Sequence, residues 1–572
     1  MNRAAAGSTR PPFAGWADAG RPAVVAALAV GVAAIALRVS LAPQFDGLDD
    51  LGYLEAAQRV SQGRSLDGLF PLFQTRVGMT YPMGWLMQSG WLVPSQFWVL
   101  TAVAECITLM SLFAGGWLLA GTASAGLAAA GLYAIYPLAV QQSMMFYPTA
   151  FQVASIAGAL ALMAGAERVT GLRVRLALAS LAGLALGLGY LVKEDVAIVV
   201  PAVALASLLT GFPRRSTMVA VMGGAAAVFL AESAGYWMST GQPLFRLAAT
   251  SGMGAAPTDQ LQISEIWQWD AFLRSLFLIP AQVGLYWWLA VPALWAARRH
   301  GGRRLAFAAI AFLVLMLYLQ FGSGSLSSYE PLPKTPRYTA LATPLLMLVC
   351  GAWLAHLLNS RRRALAVAAV IVVAATAVPS IIYLHATASE RTRNTLAVLP
   401  ALRAVDPDQL FTDYYGARVL RVLEPELPKV SVWYHARFDT NQIVVLGNPA
   451  AANHAYVLLD RQVAKIYTSS YEIALPPAIA APPADWQLVW SGRAYQEGSW
   501  TRAGLEWLRA AASRLPSGNP LSSRVERRMG DLLDADEAFL YRVPEIVKSI
   551  AVEASASSTG LAALRTQTVM RP

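Results

Sequence analysis

Stretches of about twenty consecutive apolar residues fill most of the first two thirds of this 572-residue chain, and no other feature restricts its fold so strongly. A bilayer core of about 30 Å is crossed by about 20 helical residues, and a helix satisfies its own backbone hydrogen bonds in hydrocarbon. Eleven such stretches are counted, at 22–41, 97–120, 123–140, 149–165, 176–192, 196–211, 217–237, 276–297, 305–321, 338–358 and 364–384. Composition agrees, with 56% of residues hydrophobic and 14% charged, where an ordinary soluble chain carries about 25% charged residues. These values exclude soluble, disordered and collagen-like chains and predict an all-α polytopic membrane protein. The first stretch reads as a span and not a cleaved leader, because the long small-and-polar segment 1–21 precedes it and no small-residue cleavage motif follows Arg38.

Lys and Arg number 44 against 34 Asp and Glu, a balance that in a soluble chain would suggest nucleic acid. Here the excess lies in alternate short connections: Arg3, Arg10 and Arg21; Arg168, Arg173 and Arg175; Arg214 and Arg215; Arg298, Arg299, Arg303 and Arg304; Arg361, Arg362 and Arg363. These fifteen arginines face only Asp18 and Glu167. Positive short loops stay in the cytoplasm, so the charge sets topology and no nucleic-acid partner is expected. With eleven spans the N-terminus is inside and everything beyond residue 384 outside. The Arg excess over Lys and the Ala-rich runs suggest a GC-rich bacterial genome, hence a bacterial cytoplasmic (inner) membrane.

Four parts are expected: a cytoplasmic segment 1–21, a transmembrane domain 22–387 with a large outer loop 42–96, a soluble extracytoplasmic α/β domain 388–553, and a polar tail 554–572. The α/β expectation rests on short β-rich runs at 430–434, 442–446 and 456–459 alternating with helical patterns at 415–423 and 503–515. In that domain Trp433, Tyr434, Trp486 and Trp490 read either as core aromatics or as platforms for sugar faces. Cys106 and Cys350 each lie in an apolar run, and the five histidines have no paired spacing, so neither a disulfide framework nor a metal site is expected. No glycine-rich loop joins a strand to a helix, and no cofactor is expected.

Charges within or beside spans cost about 2.5–3.5 kcal/mol each at a helix centre, so each needs a partner or a wet cavity. In the topology above, Arg38, Glu105, Lys193, Glu194, Asp195, Glu232 and Arg337 all fall in the outer half or at the outer mouth, as a polar cavity opening outward would require. Singly, each has a plainer reading, such as Arg38 snorkelling to the surface. The first outer loop contains Asp46, the pair Asp49 and Asp50, then Tyr53 and Glu55. Tyr53, Ala57 and Val60 share a helical face, so a short amphipathic helix starts at the acidic pair and ends by Gly63. Asp49 could be only its N-cap and Asp50 a first-turn acid favoured by the helix dipole. A second stretch, from Tyr81-Pro82 to Trp91, has the aromatics of a headgroup-level segment.

Four motifs in this order carry a resemblance: the Asp49-Asp50-x-x-Tyr53 cluster after span one, Tyr81-Pro82 before span two, Lys193-Glu194-Asp195 after a Gly-rich span, and Pro336-Arg337-Tyr338 at a late span. Together they resemble the GT-C superfamily of polyprenyl-phosphate-sugar glycosyltransferases, on the branch of the lipid A aminoarabinose and protein O-mannosyltransferases. The resemblance spans the whole membrane part. It implies a GT-C-like fold, Asp49 as catalytic base with Asp50 beside it, and Lys193 and Arg337 holding the lipid phosphate. It further implies that Tyr53, Glu55, Tyr81, Glu194 and Tyr338 line the substrate site. The chain departs from the family at Tyr147-Pro148-Thr149, where members often carry another acidic residue; a metal-bridged mechanism is weakened accordingly.

The chemistry is self-consistent. A sugar on a lipid phosphate already has a good leaving group, so transfer needs a base for the acceptor hydroxyl and cations for the departing phosphate. The function expected is an inverting membrane glycosyltransferase moving a sugar from a polyprenyl-phosphate donor to a hydroxyl of an envelope glycan, lipid or protein. A secondary transporter or flippase would also use intramembrane charge, but it is usually built from internal repeats, and none is visible here. The third alternative is an inactive scaffold whose tail binds a partner.

Overall fold

The computed structural model describes residues 20–544 apart from 42–43, 252–270, 279–280, 301, 324–331, 333–334, 426, 428, 438–441, 447, 450–454, 471–472, 476 and 516–518. The expected tail 554–572, and nearly all of 1–21, lie outside the described residues. By internal contacts the chain forms two compact units, one of residues 1–393 and 495–533, the other of 394–494 and 534–572.

The first unit is helical. Among the described residues seven helices are long and apolar enough to cross a membrane: Arg21–Ser40, Pro94–Ala120, Pro148–Ala166, Leu172–Val192, Arg215–Thr240, Gly302–Phe321 and Arg363–Ala388. An eighth is the pair Ala123–Ala134 and Pro137–Ser143, bent by 63°. Proline causes that bend: Pro137 has no amide proton to donate and restricts the residue before it, so the helix breaks at Tyr136 and restarts with proline in its first turn. The other expected spans are represented by shorter helices at Val199–Thr210, Tyr286–His300 and Thr343–Leu358. Leu172–Val192 and Arg215–Thr240 cross so closely that a Cβ on Gly183 would fall 2.0 Å from the Val221 carbonyl oxygen, and one on Gly224 would fall 2.3 Å from that of Ser180. Only glycine permits that approach.

The expected loop-one helix is present as α1, Asp49–Ser61. Asp49 is its first helical residue and not its N-cap, which is Leu48 with no side-chain capping bond. Arg38 does not snorkel: it is buried and pairs with Glu105 at 2.9 Å, while the Tyr133 hydroxyl donates to the same carboxylate. A buried charge that can reach an opposite charge is held far more cheaply there than unpaired.

Helices α2, Trp500–Ser513, and α3, Pro520–Asp534, also belong to this unit. Leu505, Met529, Leu532 and Leu533 close over Ile382 and Ala386 at the end of the last long helix. Within the stretch expected as one domain over 388–553, these two helices group by internal contacts with the helical unit, where their amphipathic faces find apolar partners.

The second unit is a six-stranded sheet ordered β3-β2-β1-β4-β6-β5, with β1 Gln409–Asp413, β2 Val430–Arg437, β3 Gln442–Val445, β4 Ala455–Asp460, β5 Gln487–Gly492 and β6 Ala538–Arg542. Strand β1 pairs in parallel with both β2 and β4, while β3, β5 and β6 join antiparallel. Its core gathers Val398, Leu402, Leu410, Leu420, Leu458 and Leu540. Trp433 and Tyr434 are buried and serve as core aromatics.

Candidate active site

The two aspartates at the start of α1 have opposite surroundings. Asp50 is fully buried, and its carboxylate accepts from the backbone amides of Asp46 at 2.7 Å, Gly47 and Leu48 at 3.2 Å and Leu51 at 2.9 Å. Its work is to fold the turn that delivers its neighbour. Asp49 is half-exposed, and among the described residues its carboxylate has no hydrogen-bond or ion-pair partner, although Arg76 and Arg337 lie within electrostatic reach. Asp46, at the head of the same turn, pairs with Arg391 at 2.9 Å and accepts from the Tyr147 hydroxyl at 3.1 Å. Tyr147 thus contributes to the loop-one turn from the segment where the resemblance leads one to look for an acidic residue. Burial raises the Asp46 carboxyl against the pull of Arg391 and Tyr147.

The turn after Leu172–Val192 supplies a second charged group. Lys193 pairs with Asp195 at 2.6 Å, and Asp195 also accepts from the Gln152 amide at 2.6 Å. Lys193 lies 4.6 Å from the Tyr338 ring centre, with the Arg337 guanidinium 5.5 Å from the same ring, so one aromatic ring gathers both cations. Among the described residues Arg337 makes no ion pair with a carboxylate within 4.0 Å, and its side chain is exposed. Burial alone would raise Glu194, but Arg76 at 3.6 Å, Lys193 and Arg246 together hold its carboxyl below the usual range. Burial raises Asp195, opposed by Lys193.

Two cations to which the sequence assigns no role complete the cluster. Arg76 is buried and donates to the Tyr53 hydroxyl as well as facing Glu194. Arg246 is 1% exposed; its Nε donates to Glu232 at 2.8 Å, and its guanidinium lies 4.9 Å from the Tyr190 ring. Each is a lone arginine inside an apolar, aromatic-rich loop segment, and that pattern is the only local signal of either. The arrangement brings Asp49, Tyr53, Lys193, Glu194, Arg337 and Tyr338 into one electrostatic neighbourhood. It leaves Glu55 out, since Glu55 pairs with Arg59 one turn along α1 at 3.2 Å on an open face. Tyr81 is half-buried with its ring edge-on to Trp85 at 5.8 Å.

Below the cluster, a cavity of about 810 Å³ runs between the helices Trp98–Ala120, Pro148–Ala166 and Leu172–Val192. Its lining is almost wholly apolar, from Leu118 and Leu178 at one end to Met79, Pro82 and Val192 at the other. Val192 is the residue before Lys193, so the cavity ends where the charged turn begins. Among the described residues no three His, Cys, Asp or Glu side chains converge as a metal site.

No protein-family model and no curated protein matches the chain. Solved structures do resemble it. One is the oligosaccharyltransferase of Archaeoglobus fulgidus in its apo form, with 12% identity, a TM-score of 0.48, and coverage of 90% of this chain and 88% of that one. Another is ArnT from Cupriavidus metallidurans in the apo state, with 16% identity, a TM-score of 0.48, and coverage of 82% and 96%. The same ArnT bound to undecaprenyl phosphate matches at 17% identity and a TM-score of 0.43, covering 67% and 72%.

Proposed function

We propose that this chain is an inverting membrane glycosyltransferase that moves a sugar from a polyprenyl phosphate to a hydroxyl of an envelope glycan, lipid or protein, on the outer face of a bacterial inner membrane. The supporting observation is the junction at residues 192 and 193, where Val192 lines an apolar cavity of about 810 Å³ and the next residue is Lys193, against the Tyr338 ring. A chain that is greasy along its length and anionic at one end matches that junction, whereas a soluble nucleotide sugar would leave the cavity unused.

In this reading Lys193 and Arg337 bind the donor phosphate, Arg with the planar fork that suits two phosphate oxygens. Tyr338 fixes the spacing of the two cations. Asp49, the carboxylate left without a partner, takes the proton of the acceptor hydroxyl as its oxygen attacks the anomeric carbon. The bond from that carbon to the phosphate oxygen breaks, its electron pair leaves with the lipid phosphate, and the cations stabilise the charge. One displacement inverts the anomeric centre. Arg76 and Arg246 hold Glu194, and through it the turn that presents Lys193.

The test is release of lipid phosphate from labelled undecaprenyl-phosphate sugars by the purified protein in the presence of envelope extract. Release by the wild type, with donor binding weakened at least tenfold in Lys193→Ala and in Arg337→Ala, is expected. Folded variants that bind donor as the wild type does would remove both residues from the site, and a wild type that releases nothing from any donor would refute the transferase reading.

A further inference from the structure

The second unit carries a polar cluster that the proposed transfer does not use. Strand β1 has parallel neighbours on both sides, and the chain leaves it first toward β2 and later returns to its other edge as β4. The carboxyl ends of β1 and β4 therefore form a switch point, where open α/β sheets characteristically bind ligands. The last residues of these two strands are Asp413 and Asp460, both fully buried. Each spends one oxygen on capping the helical turn directly after its strand. Asp413 Oδ1 accepts from the amides of Tyr415 at 2.8 Å and Gly416 at 3.0 Å; Asp460 Oδ1 accepts from the Gln462 amide at 2.8 Å and from the Asn394 side chain at 2.9 Å.

Asp413 Oδ2 accepts from the Thr412 hydroxyl at 3.3 Å. Among the described residues Asp460 Oδ2 is buried with no hydrogen-bond partner, and so are the hydroxyls of Thr395 and Tyr434, both in fully buried residues. Tyr434 lies beside Asp413 across the β1/β2 pairing and within electrostatic reach of Asp460. A Cβ built on Gly416 would lie 2.7 Å from Thr412 Oγ1, 3.0 Å from Thr395 Oγ1 and 3.1 Å from Asp413 Oδ2, so three side-chain oxygens from three positions gather closely around this glycine. Leaving a buried polar atom unpaired is costly, which makes a cluster of them informative.

We propose that the carboxyl ends of β1 and β4 hold one hard divalent cation, Mg²⁺ or Ca²⁺, between Asp413 and Asp460, with Thr395, Thr412 and Tyr434 hydroxyls completing an oxygen shell. The oxygen-only donor set excludes the soft metals and suits these two ions. A single shared proton would satisfy one carboxylate oxygen and leave the hydroxyls as they are, whereas a cation with six or more ligands uses all of them.

The experiment uses the full chain in detergent, stripped with a chelator and titrated with Tb³⁺ under tyrosine excitation, the ring hydroxyl of Tyr434 being at the site. Saturable emission is expected, displaced by Ca²⁺ or Mg²⁺, and the more effective competitor identifies the ion. Asp460→Asn, which keeps the capping oxygen, should weaken binding tenfold or more. Gly416→Ala, which crowds these oxygens and leaves both carboxylates, should do the same. Binding that is absent from the wild type, or unchanged in folded Asp460→Asn and Gly416→Ala, would overturn the site and leave the pair sharing a proton.

Discussion

The two units handle buried carboxylates in opposite ways. In the helical unit nearly every acid near the loop-one turn is matched: Asp46 by Arg391, Glu194 by Arg76, Asp195 by Lys193, Glu232 by Arg246. In the sheet unit Asp460 feels the charge of Asp413, with amides and hydroxyls around the pair and no Lys or Arg among the causes that set their ionisation. An unmatched carboxylate therefore signifies something different in each place. Against a background of paired acids the open Asp49 stands out as chemically available, while an unmatched pair enclosed in a sheet calls for a proton or a cation.

The largest effect should come from breaking a matched pair. Arg246→Ala leaves Glu232 buried beside an empty space, and removal of one partner of a buried pair costs about 3–5 kcal/mol. Thermal unfolding of the purified protein should register that loss, and a variant as stable as the wild type would show that the pairs do not stabilise the loops. Asp50→Ala comes next, since four backbone amides lose their acceptor; about 2–3 kcal/mol is expected, with proteolytic nicking near residues 46–51 as the local readout.

Titration separates the two units further. Asp413 and Asp460 have pKa values raised by burial above those of the unfolded chain. The folded sheet unit therefore binds more protons than the unfolded one between about pH 4 and 7, and its stability falls as pH rises through that window. Glu194 is held below its usual value, so its contribution is present at neutral pH and is lost as pH falls through its lowered folded value. Glu194→Gln should remove that loss in acid, and Asp460→Asn should flatten the fall of the sheet unit toward neutral pH; unchanged unfolding profiles in both variants would collapse the distinction. The smallest effect belongs to the open pair Glu55 and Arg59: Glu55→Ala should change stability by no more than about 0.5 kcal/mol and leave turnover untouched.

The membrane helices were legible because apolar length is a local property: each expected stretch overlaps a described helix, although among the described residues seven helices meet the length of a span on their own. The sheet was legible from its β-rich runs, but the allegiance of helices α2 and α3 was not, since an amphipathic pattern tells that a face is buried without naming its partner. At the candidate site, Lys193, Arg337 and Tyr338 were named through the family resemblance, and the structure gathers the two cations at one ring. Arg76 and Arg246 were not named, because the acids that hold them lie on other elements. Asp49 and Asp50 are told apart in the sequence only through the resemblance; backbone amides converging on Asp50 distinguish their surroundings.

The proposed mechanism depends above all on Asp49 acting as the base. Asn at this position preserves size and, since Leu48 and not Asp49 occupies the N-cap, no capping bond is disturbed. The decisive measurement is turnover of purified Asp49→Asn beside its unfolding temperature and its affinity for undecaprenyl phosphate. Wild-type stability and lipid affinity with transfer reduced by about 10²-fold or more is the expected result. Near-wild-type turnover in the same folded, lipid-binding protein would contradict it.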